Sequence, residues 1–207
     1  MTTKTITTPR KEPKQERSRF MVNSILDATA RVLVEDGFSG VTTNVVAQRA
    51  GVSIGSLYQY FPSREALVAG VGRRFAEEKR ASLEALLTKH NGVALGEDIA
   101  AVVDAIDRAQ AADPELNYAL LREVPKLGEL DWREEVEARS LALSLSFLLK
   151  HAKEIRTDIN HRAAAFVIAK SIEGVMTSLS QSRMKKSEKN AVKKEFITSI
   201  MQFLIDR

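Results

Sequence analysis

Apolar side chains recur along this chain at intervals of three and four, and the pattern predicts a series of helices. Val22, Ile25, Thr29, Val32 and Leu33 trace one face of a first helix from about Ser18, which Gly37 ends, with Phe38 folding back on Leu33. Thr42 then stands as an N-cap for a short helix, Thr43 to Ala50, whose apolar positions Val46 and Ala50 lie four apart. Gly51 can take the left-handed conformation that reverses the chain. Val52 and Ser53 complete a three-residue turn, Ser53 caps a second short helix from Ile54 to Tyr60, and Val52 can staple onto Leu57. Pro62 stops that helix by Phe61, and Ser63 with Glu65 opens a longer one to about Lys89, with Leu67, Val71, Phe75, Leu83 and Leu86 inward.

Two glycines in the stretch His90 to Asp98 break the pattern, and Ile99, Val102, Val103 and Ile106 mark the next amphipathic helix. Asp113, Pro114 and Glu115 give cap, proline and acid in the order that starts a helix, with Leu116, Leu120, Leu121 and Val124 on its apolar face and Pro125 and Gly128 closing it. Asp131 and Glu134 have capping-box spacing for a helix through about Lys150, apolar over so wide an arc that it is expected to be buried between neighbours. Two more helices are predicted, about Asp158 to Ser182 and Ser187 to Asp206. The first carries a stripe of Ala165, Ala169, Ile172, Met176 and Leu179 with Ser171 and Gly174 beside it, and the second carries Val192, Phe196, Ile200, Phe203 and Leu204. Such stripes serve packing within one chain or between two, and the spacing leaves both open.

The two short helices and their turn have the form of a helix-turn-helix DNA reader. Gly55 and Ser56 are small and lie in the first turn of the second helix, where backbone N–H groups favour phosphate. Gln59 can pair with adenine in the major groove, Tyr58, Tyr60 and Arg64 suit phosphates, and Asn44 on the supporting helix is another candidate for a base edge.

The stretch ILDATARVLVEDGFSGVTTNVVAQRAGVSIGSLYQYFPSREAL, Ile25 to Leu67, resembles the TetR family of bacterial transcriptional regulators. The most telling pieces are GF at Gly37, AGVS at Ala50, LYxYF at Leu57 and SREAL at Ser63. The resemblance implies an all-α homodimer, with an N-terminal three-helix helix-turn-helix domain and a C-terminal helical ligand-binding and dimerisation domain. A small apolar or amphipathic effector would release such a repressor from a palindromic operator. By position it places DNA contacts on Thr42, Thr43, Asn44, Ser53, Ile54, Gly55, Ser56, Tyr58, Gln59, Tyr60 and Arg64. Ile54 and Gly55 carry no hydrogen-bonding side chain, which shifts weight from base readout to DNA shape. The resemblance also turns the two C-terminal stripes into an expected dimer interface, with Ala169, Ile172, Gly174, Met176, Phe196, Ile200 and Phe203 on it.

Charge agrees with this division. The whole chain of 207 residues carries +4, and residues 1–64 alone hold nine basic against five acidic residues, so all the excess lies in the DNA-reading segment. The expected organisation is a flexible basic arm over 1–17, a DNA-binding domain over 18–64 and an effector-binding and dimerisation domain over 65–207. Phe75, Ile99, Val103, Tyr118, Leu121, Trp132 and Phe147 are candidates for an effector pocket. The chain has no cysteine, its most hydrophobic piece, Leu141 to Leu149, is too short to span a membrane, and the N-terminus lacks the apolar core of a signal peptide, so a cytoplasmic location is expected. His151, Glu154, Asp158 and His161 space each His three residues from an acid, as a metal set would, but they straddle an expected helix break in polar, lysine-rich sequence that reads as a solvated connection, with no metal or cofactor expected. No phosphate-cradling glycine loop, nucleophile elbow or zinc helix is present, which argues against an enzyme. An activator, a constitutive regulator without an effector, and an all-helical binding module or enzyme whose helix-turn-helix is only structural remain as alternatives.

Overall fold

The computed structural model describes residues 16–89, 92–127 and 131–205, apart from the side chains of Lys126, Asp131 and Trp132. The expected arm over 1–17 therefore lies almost wholly outside the described residues, as do Gly128 and the side chain of the candidate pocket residue Trp132. Among the described residues the fold is all-α: α1 (Glu16–Gly40), α2 (Thr43–Ala50), α3 (Ile54–Tyr60), α4 (Arg64–Lys89), α5 (Leu95–Ala112), α6 (Pro114–Glu123), α7 (Asp131–Lys150), α8 (His161–Gln181) and α9 (Lys186–Ile205).

The chain forms two compact units, residues 1–77 with 113–135 and residues 78–112 with 136–207. This differs from the expected boundary at residue 64, because the first half of α4 is core of the first unit and α6 returns to pack on α1. In that unit α1 buries Ile25, Leu26, Ala28, Thr29, Val32 and Leu33, and the Thr29 hydroxyl, fully enclosed, donates to the Ile25 carbonyl at 2.8 Å. Gly37 does not end α1 but interrupts it: with φ 67° and ψ −172° it breaks the helix, and one further turn follows to Gly40. Residues Ala66 to Gly72 of α4 are buried on every side. Gly70 is required there, since a Cβ on it would stand 2.9 Å from the Phe61 ring and 3.0 Å from a Leu26 methyl.

The second unit is built from α5, α8 and α9 with the C-terminal parts of α4 and α7. Its main core gathers Leu95, Ile99, Leu148, Ile155, Ala164, Ala165, Ile168, Ile200 and Leu204, and a second cluster joins Val103, Met176 and Leu179. α5 begins at Leu95, four residues earlier than its apolar spacing predicts, because a distant side chain caps it: Glu154 accepts from the Leu95 N–H at 2.9 Å. The other Glu154 oxygen lies 2.7 Å from His151 Nδ1, and His151 Nε2 lies 2.8 Å from Asp98 Oδ2, which also accepts from Lys150 Nζ at 2.8 Å. Asp98 is fully buried and His151 nearly so. Hydrogen bonds from His151 and from the Leu95 amide hold the Glu154 carboxyl below the usual carboxylate range. The stretch read as a solvated connection thus contributes a buried polar cluster to the second unit. His151 and Glu154 are joined to Asp98 rather than gathered with Asp158 and His161, and among the described residues no group of three potential ligands is placed to hold a metal ion.

One helix departs from the expectation about apolar runs. α8 has a window of mean hydropathy 1.2, so by length and composition it could cross a membrane, although only 28% of that window is buried within the chain. Two of its large apolar side chains face outward, Phe166 at 51% and Val167 at 45% exposure.

On α4, burial pushes the Lys79 ammonium down to about 8 from 10.5. Below pH 8 both folded and unfolded chains carry the proton and the whole burial cost applies; between 8 and 10.5 only the unfolded chain holds it, so folding stability rises with pH. Lys79→Met is therefore expected to stabilise the protein at pH 7 by about 2 kcal/mol, allowing for partial exposure, and to abolish the gain between pH 7 and pH 10 in urea melts. Parallel pH profiles for parent and variant would contradict this.

Candidate nucleic-acid interface and ligand cavity

The helix-turn-helix forms where its local signals put it. Thr42 caps α2 by accepting from the Val45 N–H at 3.2 Å, and Gly51 takes the left-handed conformation at φ 68° with its N–H on the Ala47 and Gln48 carbonyls. The Val52 N–H also reaches the Ala47 carbonyl, at 3.0 Å, so the reversal satisfies the last carbonyls of α2. Val46 is buried as expected, but its companion is Ala47 and not Ala50. Ser53 caps α3 by accepting from the Ser56 N–H at 3.1 Å, and the Ser53 and Ser56 hydroxyls are 2.8 Å apart. Leu57 is fully buried beneath α3.

The outward side of this element carries Thr42, Asn44, Ser53, Ile54, Gly55, Tyr58 and Gln59, all exposed, with Thr43 and Ser56 half-buried between them. Thr43 Oγ1 and the Tyr58 hydroxyl share a hydrogen bond at 3.1 Å, which ties the supporting helix to the reading helix and fixes where the phenol points. The capping hydroxyl of Thr42 acts as an acceptor there and can still donate its proton to a phosphate oxygen, and so can one of the paired Ser53 and Ser56 hydroxyls. Tyr60 is a correction: its ring is buried at 6% exposure, and it belongs to the core of the unit rather than to the phosphate-facing set. A seven-residue helix anchored by Leu57 turns the position three residues later inward as well.

Arg64 sits at the first position of α4, where its guanidinium lies 4.7 Å over the Phe38 ring and its Nε donates to Glu65 at 2.9 Å. Burial pushes the Glu65 carboxyl up, but hydrogen bonds from Arg64, its own backbone amide and Ser63 together hold it below the usual carboxylate range. Arg64 is thus presented from a fixed platform, with half its side chain in solvent. Phe38 as the seat of Arg64 was not legible in the sequence, because nothing local links residues 26 apart. Arg49 has a different use: it pairs with Glu35 and Asp36 and fastens α2 to the end of α1.

In the C-terminal unit a cavity of about 80 Å³ is walled by Leu83, Leu87, Ile99, Val102, Ile106, Leu143, Phe147, Ile168, Ala169, Ile172 and Ile200, with Ser140 and Ser144 as its polar members. Of the candidate pocket residues it contains Ile99 and Phe147. Val103 is buried in the neighbouring cluster with Met176 and Leu179, Phe75 and Leu121 belong to the other unit, and Tyr118 is 54% exposed beneath Arg122. The expected dimer residues divide too. Ala169, Ile172 and Ile200 line the cavity, Met176 is fully buried, and Phe196 packs on the main core. Gly174 and Phe203 alone of that set face outward. α8 carries apolar side chains on two faces, Ile168 and Met176 inward and Phe166 and Val167 outward, and the direction of burial was not legible from its spacing.

Comparison with known proteins agrees with this architecture. The profile of bacterial regulatory proteins of the tetR family matches residues 25–71. The HTH-type transcriptional repressor KstR of Mycolicibacterium smegmatis is 34% identical over 112 residues, 52% of each chain, so this chain spans about half the length of the KstR relatives it matches. An HTH-type transcriptional regulator of Mycobacterium tuberculosis, Rv1255c, is 29% identical over 148 residues, 71% of each chain. Among solved structures the fatty acid degradation regulator FadR of Bacillus halodurans superimposes with a TM-score of 0.69 at 20% identity, covering 92% of this chain and 97% of that one. FadR of Bacillus subtilis in complex with stearoyl-CoA superimposes at 0.65 and 20% identity, covering 89% and 97%. These two likenesses speak to the fold.

Proposed function

We infer the function from the premise that this chain belongs to the tetR family of bacterial regulatory proteins. It is a sequence-specific, DNA-binding transcriptional regulator of the bacterial cytoplasm, acting as a dimeric repressor that a small apolar or amphipathic effector releases from a palindromic operator. The observation that carries this reading is the exposed set on α2 and α3, braced by the Thr43–Tyr58 hydrogen bond and flanked by Arg64 on its Phe38 platform. Gln59 reads base edges, while Tyr58, Arg64 and the capping hydroxyls hold phosphates and set register. The test is selection from a random duplex pool by the purified chain at near-physiological salt. An inverted repeat with half-site centres about 34–36 Å apart is expected. Retention of every duplex alike, lost with added salt, would reduce the element to a basic patch. Against the selected operator, Gln59→Ala is expected to relax sequence preference at one position of each half-site. Arg64→Ala is expected to weaken binding to every duplex by about tenfold and lower the salt slope.

Dimerisation through α8 and α9 is supported by their outward apolar side chains, Phe166, Val167, Phe203 and Ile205. Gly174 lies on the same outward side of α8, and a Cβ there would meet nothing of its own chain within 4 Å, so it suits the close approach of a second copy. Gly174→Leu is expected to leave helicity intact and shift sedimentation from twice the chain mass toward the single chain. A variant that stays dimeric would move the interface elsewhere.

The apolar cavity supports the effector reading. An effector that prefers a state whose reading helices no longer match the half-sites lowers operator affinity, and operator must weaken effector binding by the same factor.

A further inference from the structure

We propose that the apolar cavity and a second space beside it form one site for a single-chain anionic amphiphile, whose head group is taken by Lys150 and Ser146. This deepens the effector reading and rests on it. The second space, about 310 Å³, shares Leu87, Leu143 and Phe147 with the first, so three side chains are common walls of both. Polarity separates along the pair: the inner cavity is lined by aliphatic groups such as Leu83, Val102 and Ile168, whereas the outer space adds Glu84, Thr88, Ser146 and Lys150. A molecule filling both would place an apolar tail at one end and a hydrogen-bonding head at the other.

The sign of the head follows from the partners of the charged walls. Glu84 is engaged by Arg80 one turn earlier on α4, so the acidic wall already has a cationic partner. Lys150 donates to Asp98 Oδ2, and His151 Nε2 reaches the same oxygen, each at 2.8 Å. The buried carboxylate therefore keeps a partner when the ammonium turns toward a ligand. His151 is in turn held by Glu154 at 2.7 Å and by the Phe147 ring at 5.0 Å, so the common wall of the two spaces rests on the cluster that positions Lys150. With the Ser146 hydroxyl beside it, Lys150 offers donors to the head, which suits a carboxylate or another monoanion.

The test uses the full-length protein loaded with the neutral apolar dye N-phenyl-1-naphthylamine and displaced by decanoate, decan-1-ol or decylamine. Decanoate is expected to displace the dye at about tenfold lower concentration than decan-1-ol, the worth of one charge-assisted contact. Lys150→Met should remove that preference, so that decanoate displaces the dye no better than decan-1-ol, and Lys150→Arg, which keeps a cation at Asp98, should retain it. Ser146→Ala, at an exposed position, should weaken decanoate by about threefold. Equal displacement by decanoate and decan-1-ol, strongest displacement by decylamine, or a decanoate preference surviving both Lys150→Met and Ser146→Ala would each overturn the proposal while leaving an apolar effector site in place. Failure of the dye itself to bind would overturn the effector reading as well.

Discussion

Phe61→Ala is expected to destabilise the protein by about 3–5 kcal/mol, the cost of emptying a large buried aromatic site that cannot fully collapse. Phe61 is 1% exposed, closes α3 by donating its N–H to the Leu57 carbonyl at 2.9 Å, and lies edge-on to Gly70 with Leu26 beside it. The ring therefore holds the reading helix against both α1 and α4, and its loss removes the surface on which α3 rests. Urea melts give the stability change, and duplex binding should fail in the same variant under conditions where the parent is fully folded. Gly70→Ala offers the complementary test, since its methyl would meet the ring at 2.9 Å and overpacking costs about 1–3 kcal/mol. Combining it with Phe61→Leu, which vacates that space, should recover part of the loss, because neighbouring substitutions are coupled. Simple additivity of the two would show that the ring and the glycine do not share the contact.

Asp98→Ala is the other large expectation, a loss of about 3–5 kcal/mol, because it leaves the nearly buried His151 without its carboxylate and withdraws a partner of Lys150. Asp98→Asn keeps an acceptor but not the charge and should cost less than the alanine variant. The effect is predicted to extend to the N-terminus of α5, since Glu154 caps Leu95 through the same His151. Amide exchange at Leu95 should therefore accelerate in the variant. Unchanged exchange together with a small stability change would mean that the cluster is a set of independent pairs.

The DNA-reading element was legible in the sequence nearly to the residue. α2 and α3 begin and end where Thr42, Gly51, Ser53 and Pro62 predict. These signals act over one to four residues, so the spacing that appears in the sequence is the spacing at which the hydrogen bonds form. α6 was legible as well, because Asp113 caps it locally by accepting from the Leu116 amide. Apolar spacing starts α8 near Asp158, two residues ahead of Asn160, which caps it by accepting from the Ala163 amide. That is the usual uncertainty where polar residues precede a helix.

Local order of residues is therefore enough for the all-helical class, the helix-turn-helix and the side chains that it turns outward, with Tyr60 excepted. Packing in three dimensions selects which face of α8 and α9 is inward, so that Ala169, Ile172 and Ile200 became cavity wall while Phe166 and Val167 were left exposed. It also decided the start of α5, through a carboxylate 59 residues away, and it turned a polar stretch around His151 into a buried cluster. The physical reason is range. A cap or a glycine turn is satisfied by its immediate neighbours, whereas the burial of one side of an apolar helix and the pairing of a buried charge depend on partners that the order of residues does not name.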